Sequence, residues 1–450
     1  MPDQYNIPHH LQLCDCGAYN DAMKVAIAGY GKEGEANYKY WKAKGDEVVI
    51  FDDKVLSAFP LPEGAQAVCE PGATSRISGF DLVVRTASLA PSKLPAGSKT
   101  WSGTREFFAQ CPAPIIGVTG TKGKGTTCSM ITDILRNARK TVHLIGNIGT
   151  PAIEELAKIQ PSDIVVFELS SFQLWDLEQS PHIAVVLGVE PDHLDIHPSY
   201  DDYVAAKSNI ATHQKEGDLI IFKASNQMSS FIAQRSPAKR VSYGEHADVT
   251  IRDGFFYYGD NKLCATSVLQ VPGEHNKENA CAAIAAVWPY VQDVDIITQG
   301  LKSFTGLPHR IEKVRTLEGV TYYDDSFSSA PPASVVAVQA FSAPTILILG
   351  GYDRGIDLLP LARSLAHTSS IKKILCIGAI RQKLAAALDA ANEKRYEVID
   401  SDDFSAIVKH AHELATSGDI VLLSPGAPSF DMFKNFVERG DIFKQVVMSL

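Results

Sequence analysis

From Lys24 onward the chain alternates short apolar runs with longer amphipathic stretches, and each apolar run ends in glycine or polar residues. KVAIAG (24–29), EVVIFDD (47–53) and DLVVR (81–85) have the length and β-branched content of buried strands, and helical patterns separate them. Strand and helix in alternation build a parallel sheet. A second series follows with IIGVTG (115–120), TVHLIG (141–146), DIVVFELSS (163–171) and IAVVLGV (183–189). Residues 241–272 (VSYG, VTIRDGFFYYG, LCATSVLQVPG) have the aromatic and β-branched content of a small antiparallel insertion, before the helix NKENACAAIAAVWPYV. A third series contains VTYYDDS (320–326), TILILGG, KILCIG, YEVID and DIVLLSPG. The pattern predicts three successive α/β units over 23–101, 102–308 and 309–450, behind an irregular leader over 1–22. No repeat of fixed period interrupts them.

Composition narrows the possibilities. A chain of 450 residues exceeds one core, and 45% hydrophobic with 21% charged residues is ordinary for a soluble protein. The net charge of -10 would repel nucleic-acid phosphates, so no nucleic-acid partner is expected. No apolar run reaches the roughly 18 residues that span a bilayer, and MPDQYNIPHH lacks a signal-peptide pattern, so a cytoplasmic protein without a membrane partner is expected. Eight cysteines without a CxxC pair read as core thiols, although Cys14 and Cys16 lie on the polar leader. Nothing in the pattern demands a second chain, and a monomer is expected.

Several stretches carry chemistry. GYGKEG (29–34) fits a glycine turn between strand and helix, and FDD (51–53) ends the next strand; the pair suits NAD, another nucleotide diphosphate, or a purely structural turn. GVTGTKGKGTTC (117–128) is more specific. Gly120, Gly123 and Gly125 leave backbone N–H groups open to phosphate at a helix start, and Lys124 supplies the neutralising charge. The hydroxyl that normally follows the lysine and touches magnesium is replaced by Gly125, with Thr126 next in line. Glu168 ends a strand where such folds place an acid for the metal. EPDHLDIHPSYDDYVAAK (190–207) gathers Asp192, His193, Asp195 and His197, a set that suits magnesium, manganese or zinc; at least two of the four should be solvated or cap the next helix. Lys207 lies on that helix, by default on a solvated face. Asn276 and Asn279 stand one helical turn apart, suited to capping or to contact with a base. Arg310 suits a phosphate, and Asp324 and Asp325 end a strand; either could form a salt bridge instead.

These motifs fall in one order: GTKGKGTT, GNIGTP, ELSSFQL, EPDHLDIH with YVAAK, GEHNKENA, FTGLPHRIE, YYDDS, LGGYDRGIDL and LLSPGAPSFDMFKNFVERG. In order and spacing, from about Lys24 to the C-terminus, the chain resembles the Mur ligases, and FQL after ELSS with the FKNFVERG ending points to their glutamate-adding branch. The resemblance implies a Rossmann-like N-terminal domain for the UDP sugar, a central P-loop ATP-binding domain with a parallel sheet, and a C-terminal Rossmann-like α/β domain for glutamate. It implies a cytoplasmic ligase of peptidoglycan precursor synthesis whose substrates are ATP, UDP-N-acetylmuramoyl-L-alanine and glutamate. Carried over by position, Gly120, Thr121, Lys122, Gly123, Lys124, Gly125 and Thr126 would hold ATP, with Asn279, Arg310 and Asp325 contacting the nucleotide. Thr126, Glu168, His193 and Lys207 would hold Mg2+ or Mn2+, with Lys207 carbamylated. Lys124, Glu168, His193 and Lys207 would be the catalytic set. Gly31, Lys32, Glu33, Asp52, Asp53, Thr86, Asn147 and His193 would line the UDP-sugar site, and Ser329, Arg354, Ser429 and Phe436 the glutamate site.

The chain departs from the family pattern in places. Phe327 and Ser329 stand where the pattern has lysine and threonine, Arg354 replaces a lysine, and Thr86-Ala87-Ser88 replaces an SPG turn. The acceptor's carboxylate is expected to attack the γ-phosphoryl group of ATP, and the resulting acyl phosphate to be opened by the glutamate amine. Three rival readings remain at this stage. A folylpolyglutamate-type ligase would lack the 23–101 unit, a nicotinamide dehydrogenase would leave Lys124, Glu168 and His193 idle, and a regulatory ATP-binding module without turnover would suit Gly125.

Overall fold

The computed structural model describes residues 22–54, 60–146 and 151–450; the leader expected over 1–22 lies outside these apart from Ala22, as does Asn147. The first sheet is parallel throughout, with strands in the order Gln66–Cys69, Glu47–Asp52, Lys24–Ala28, Leu82–Arg85 and Thr100–Ser102. Val25, Ile27, Ile50 and Val84 pack on one face with Trp41, whereas Ala26, Ala28 and Val83 pack on the other. Burial of both faces is why these strands read as continuous apolar runs rather than alternating ones.

The second sheet has nine strands. Val142–Gly146, Ile164–Glu168, Ile115–Thr119, Ile183–Val186, Leu219–Lys223 and Lys239–Tyr243 run parallel in that spatial order. Val249–Arg252, Phe255–Tyr258 and Asn261–Ala265 extend the same sheet as an edge meander, antiparallel among themselves. Within the 241–272 segment the strands over 249–265 are antiparallel as expected, whereas VSY belongs to a parallel strand and the meander continues the central sheet. Hydrophobic content alone could not assign the partner of these short strands, since pairing is a long-range choice.

The third sheet has the order Glu312–Leu317, Val320–Asp324, Ile420–Leu423, Thr345–Gly350, Ile371–Ile377 and Tyr396–Val398, parallel except for its first pair. Alternate residues of one strand feed two cores: Ile346 and Ile348 on one face, Leu347 and Leu349 on the other. By contact the chain separates into two compact units. One holds the first two sheets, up to Leu269 with Glu274–Phe304; the other is Gln270–Gly273 with Thr305–Leu450.

Within the first unit a buried arginine ties the two sheets together. Arg85, wholly buried at the end of its strand, forms a two-pronged ion pair with Asp176, with Nε 2.8 Å from Oδ2, and donates to the carbonyl oxygen of Phe172 at 2.9 Å. Its third nitrogen reaches the carbonyls of Thr86, Ala87 and Leu89 at 3.2–3.3 Å. A guanidinium is planar and carries five donors, so one side chain fixes loops from both sheets. Among the described residues no helix is long and apolar enough to cross a membrane.

Candidate active site

In all three sheets many of the singled-out residues, such as Lys32, Lys124 and Ser329, follow the carboxyl ends of strands, where parallel sheets open toward ligands. In the central sheet these are the strands ending at Val186, Thr119 and Glu168, neighbours in space. The loop after Thr119 turns through Gly120 (φ 147°) and Gly123 (φ 87°) before the helix Lys124–Asn137 begins. A side chain at Gly123 would put its Cβ 2.5 Å from Asn279 Oδ1, so the backbone must pass that close to the helix Glu274–Val287. Glycine meets both demands, positive φ and close approach.

Lys124 Nζ folds back over the loop and donates to the carbonyl oxygens of Gly120 (3.0 Å) and Thr121 (3.1 Å). Lys207 is not on a solvated face: it is 1% exposed, and its Nζ reaches Gly120 O (3.0 Å) and Thr119 Oγ1 (3.3 Å). Burial, then the neighbouring Lys124 charge, pushes its pKa well below the usual lysine value, while Asp192 opposes them. Glu168 is buried at its strand end. Burial, then the Glu168 charge, raises the pKa of the buried Cys128 thiol on the first turns of the loop's helix, and the Lys124 charge opposes them. Gly125 leaves two hydroxyls nearby. Thr126 is half-buried, and Thr127 Oγ1 is buried with no hydrogen-bond partner.

Other side chains here serve the scaffold. Thr121 Oγ1 accepts from Glu190 N (2.9 Å) and lies 3.1 Å from Tyr203 Oη, which binds the phosphate loop to the 190–197 loop. Lys122 is exposed. Of the four possible ligands in that loop, His197 is buried between Asp202 (2.7 Å to Nδ1) and Ser171 (2.9 Å to Nε2), and stacks on Phe172. It joins the Glu168–Ser171 segment to the helix Tyr200–Thr212 that carries Lys207. His193 is half-exposed, holds φ 54° and packs edge-on to Phe172 at 5.0 Å. Asn276 and Asn279 touch, with Nδ2 of the second 3.4 Å from Oδ1 of the first.

In the first sheet, Gly31 caps the helix Lys32–Ala43, whose opening residues Lys32 and Glu33 line a cavity of about 310 Å³ with Ala87, Ser88, Phe172 and Gln173. Glu33 accepts from Ala87 N at 2.9 Å, and burial raises its carboxyl pKa. Asp52 accepts from Tyr30 N (2.6 Å) and Lys54 N (2.8 Å), Asp53 accepts from Thr74, and Thr86 donates to Ala28 O (3.3 Å). The two acids thus shape the glycine turn and its neighbour from within.

In the third sheet, Ser329, Ser429 and Arg354 lie on loops after the strands ending at Asp324, Leu423 and Gly350, again spatial neighbours. Ser429 is buried, Ser329 half-buried and Arg354 exposed. Phe436 opens the helix Phe436–Ser449 and packs on Phe327 and His309. Asp325 accepts from Ile311 N (3.2 Å) and from Ser424 Oγ (2.6 Å); burial pushes its carboxyl up to about 6. Arg439, passed over in the sequence, is 1% exposed and donates to Ser326 Oγ, Ser326 O and Ala427 O at 2.9–3.1 Å. Burial lowers its pKa to about 10. Arg85 was passed over too, though a charged residue ending the apolar run DLVV was a visible signal.

A parallel-sheet protein with a glycine loop, two converging lysines and a buried acid at adjacent strand ends is a nucleotide-phosphate enzyme by construction. Residues 118–287 match the Mur ligase middle domain and residues 309–426 the Mur ligase glutamate ligase domain. The UDP-N-acetylmuramoylalanine--D-glutamate ligase of Clostridium acetobutylicum is 34% identical over 450 residues, covering 95% of this chain and 96% of that protein. That of Acetivibrio thermocellus is 35% identical over 453 residues, covering 95% and 96%. Among solved structures, the UDP-N-acetylmuramate-alanine ligase MurC of Thermotoga maritima superposes with a TM-score of 0.61 at 17% identity, over 95% of this chain and 99% of that one. The MurF ligase of the same organism, in complex with ADP, gives 0.58 at 18% identity, over 95% and 96%. The chain belongs to the Mur ligase family.

Proposed function

We propose that this protein joins D-glutamate to UDP-N-acetylmuramoyl-L-alanine at the cost of ATP, in the cytoplasmic synthesis of peptidoglycan precursors. Acceptor and amino acid follow the names of the curated relatives, which match nearly end to end. The observation that carries the chemistry is the convergence of Lys124 and Lys207 on one carbonyl of the glycine loop, with buried Glu168 ending the adjacent strand.

A carboxylate does not condense with an amine in water, because its oxygen is a poor leaving group. In the proposed sequence the alanyl carboxylate oxygen attacks the γ-phosphorus, the bond to the β-γ bridging oxygen breaks, and ADP leaves. The glutamate amine then attacks the acyl carbon, phosphate departs, and the amine loses its proton as the amide forms. Lys124 and the N–H groups of residues 120–126 balance the charge that builds on the phosphoryl oxygens. Asn279 borders the nucleotide, and the family pattern gives Arg310 to a phosphate. Lys32 and the start of its helix face the UDP moiety in the cavity bordered by Ala87, Ser88 and Phe172. Ser329, Arg354, Ser429 and Phe436 receive glutamate, with Arg354 gripping a carboxylate.

The donor set fits a divalent ion on one condition. Glu168, His193 and the Thr126 hydroxyl are suitable donors, but an ammonium at Lys207 would repel the ion. The depressed pKa favours a neutral amine there, the form that takes up carbon dioxide to become a carbamate and so an oxygen ligand. Thr126, Glu168, His193 and carbamylated Lys207 would hold a Mg2+ or Mn2+ ion, which would supply Lewis-acid charge to the phosphoryl group.

The test is a coupled ADP-release assay with UDP-N-acetylmuramoyl-L-alanine and a panel of amino acids. D-glutamate should be the preferred amine, and Lys124→Ala should abolish release. ADP release that ignores the UDP sugar, or a preference for another amino acid, would overturn the corresponding part of the reading.

A further inference from the structure

The helix Lys32–Ala43 buries one face, and along it Gly34, Ala36, Tyr38 and Trp41 turn inward with one amide among them, Asn37. Asn37 is 0% exposed. Its Nδ2 donates to the carbonyl oxygen of Glu33, one turn back, at 3.0 Å. Only the NH2 end of an amide can serve a carbonyl in this way, so the bond fixes which end of the side chain is left for other partners. That end is Oδ1, and among the described residues it finds no hydrogen-bond partner.

An oxygen buried without a donor is a cost that an apolar side chain of the same size would avoid. The surroundings nevertheless make room for it. Gly103, which opens the helix Gly103–Gln110, holds no positive φ, so its missing side chain answers to space rather than to backbone conformation. A Cβ there would stand 2.7 Å from Asn37 Oδ1 and 3.0 Å from Nδ2. Asn37, Gly103 and Thr104 line the cavity of about 310 Å³ described above, together with Glu33, and every residue lining it belongs to one compact unit. An amide oxygen repels the anionic oxygens of a phosphate and pairs with an uncharged N–H or O–H. A sugar, a nucleoside or a peptide bond supplies such a donor.

We propose that Asn37 is a specificity-determining residue whose Oδ1 accepts a hydrogen bond from an uncharged N–H or O–H of the UDP sugar. This rests on the reading above that the cavity receives that substrate.

ADP release by the full chain is measured against UDP-N-acetylmuramoyl-L-alanine and, separately, against ATP, with thermal unfolding of the ligand-free protein in parallel. Asn37→Leu keeps the side-chain size and removes Oδ1; it should raise KM for the UDP sugar about fivefold, the size of one neutral hydrogen bond, and leave KM for ATP within about twofold. The unfolding temperature should stay or rise, because the unpaired oxygen is gone. Asn37→Ala, which cannot crowd Gly103, should show the same split between the two KM values. UDP as a competitor locates the donor: an inhibition constant that rises in step with KM puts it on the uridine, and an unchanged one puts it on the sugar or alanyl part. Wild-type KM for the UDP sugar in both variants overturns the proposal, as does an equal rise in both KM values with a lower unfolding temperature, the mark of a purely structural amide. ADP release by the wild type that ignores the UDP sugar fails the reading beneath the proposal instead.

Discussion

Lys124 and Lys207 donate to the same carbonyl oxygen, that of Gly120, each at 3.0 Å. Two ammonium groups so placed repel, and in a buried setting water screens them little. The fold resolves this by disfavouring the charge on the deeper lysine, whose pKa is driven down first by burial and then by its neighbour. The outcome is a buried amine whose charge is disfavoured, beside a second lysine at the mouth of a phosphate loop.

That amine should take up carbon dioxide. With carbon-13 bicarbonate, the protein should show a carbamate carbon resonance that Lys207→Arg lacks, and turnover of that variant should fall about a hundredfold or more. A wild-type spectrum without the resonance would remove the modification from the mechanism.

Gly123 admits no side chain. Alanine there would meet Asn279 Oδ1 at 2.5 Å and keep a φ of 87° that costs an L residue roughly 1–2 kcal/mol. Gly123→Ala should weaken ATP binding at least about tenfold in calorimetric titration, since the loop must move to relieve the clash. Asn279→Ala should partly restore it by removing the clashing oxygen.

Asp325 makes stability depend on pH. Its carboxyl titrates at about 6 in the fold against 3.8 when free. The folded state therefore holds the proton more tightly, and the contribution is complete below 3.8 and lost as pH rises through about 6. Relative to Asp325→Asn, the wild type should lose up to about 3 kcal/mol of stability between those pH values. Calorimetric scans at pH 4 and pH 7 check this, and a difference that stays constant or grows with pH would contradict the assignment.

Arg85 should control the acceptor rather than the nucleotide. Arg85→Lys keeps the charge but cannot hold Asp176, the Phe172 carbonyl and the 86–89 turn together. The KM for the UDP sugar should rise about tenfold or more while that for ATP stays within about twofold. Equal effects on both substrates would mean a general loss of packing. Michaelis–Menten series in each substrate separate the two.

Much of this was legible in the chain itself. The strands KVAIAG, IIGVTG and TILILGG announce themselves because burial on both faces demands unbroken apolar runs. The phosphate loop does so because only glycine tolerates Gly120 and Gly123 geometry. Lys207 was different. As a lysine on a helix it belonged by default to solvent, and the family resemblance rather than its own surroundings singled it out.

What the sequence determined alone was local: strand and helix order, the glycine loop, and the set of acids, imidazoles and lysines that follow strand ends. Those depend on residue type and short spacing, which one dimension records. Tertiary structure decided which groups share an atom or a plane: Lys207 with Lys124 across 83 positions of chain, Arg85 with Asp176, Phe327 with Arg310, and the 241–272 strands with the central sheet. Burial, pKa displacement and ring stacking arise only between residues brought together by folding, because desolvation and Coulomb terms depend on distance in space and not along the chain.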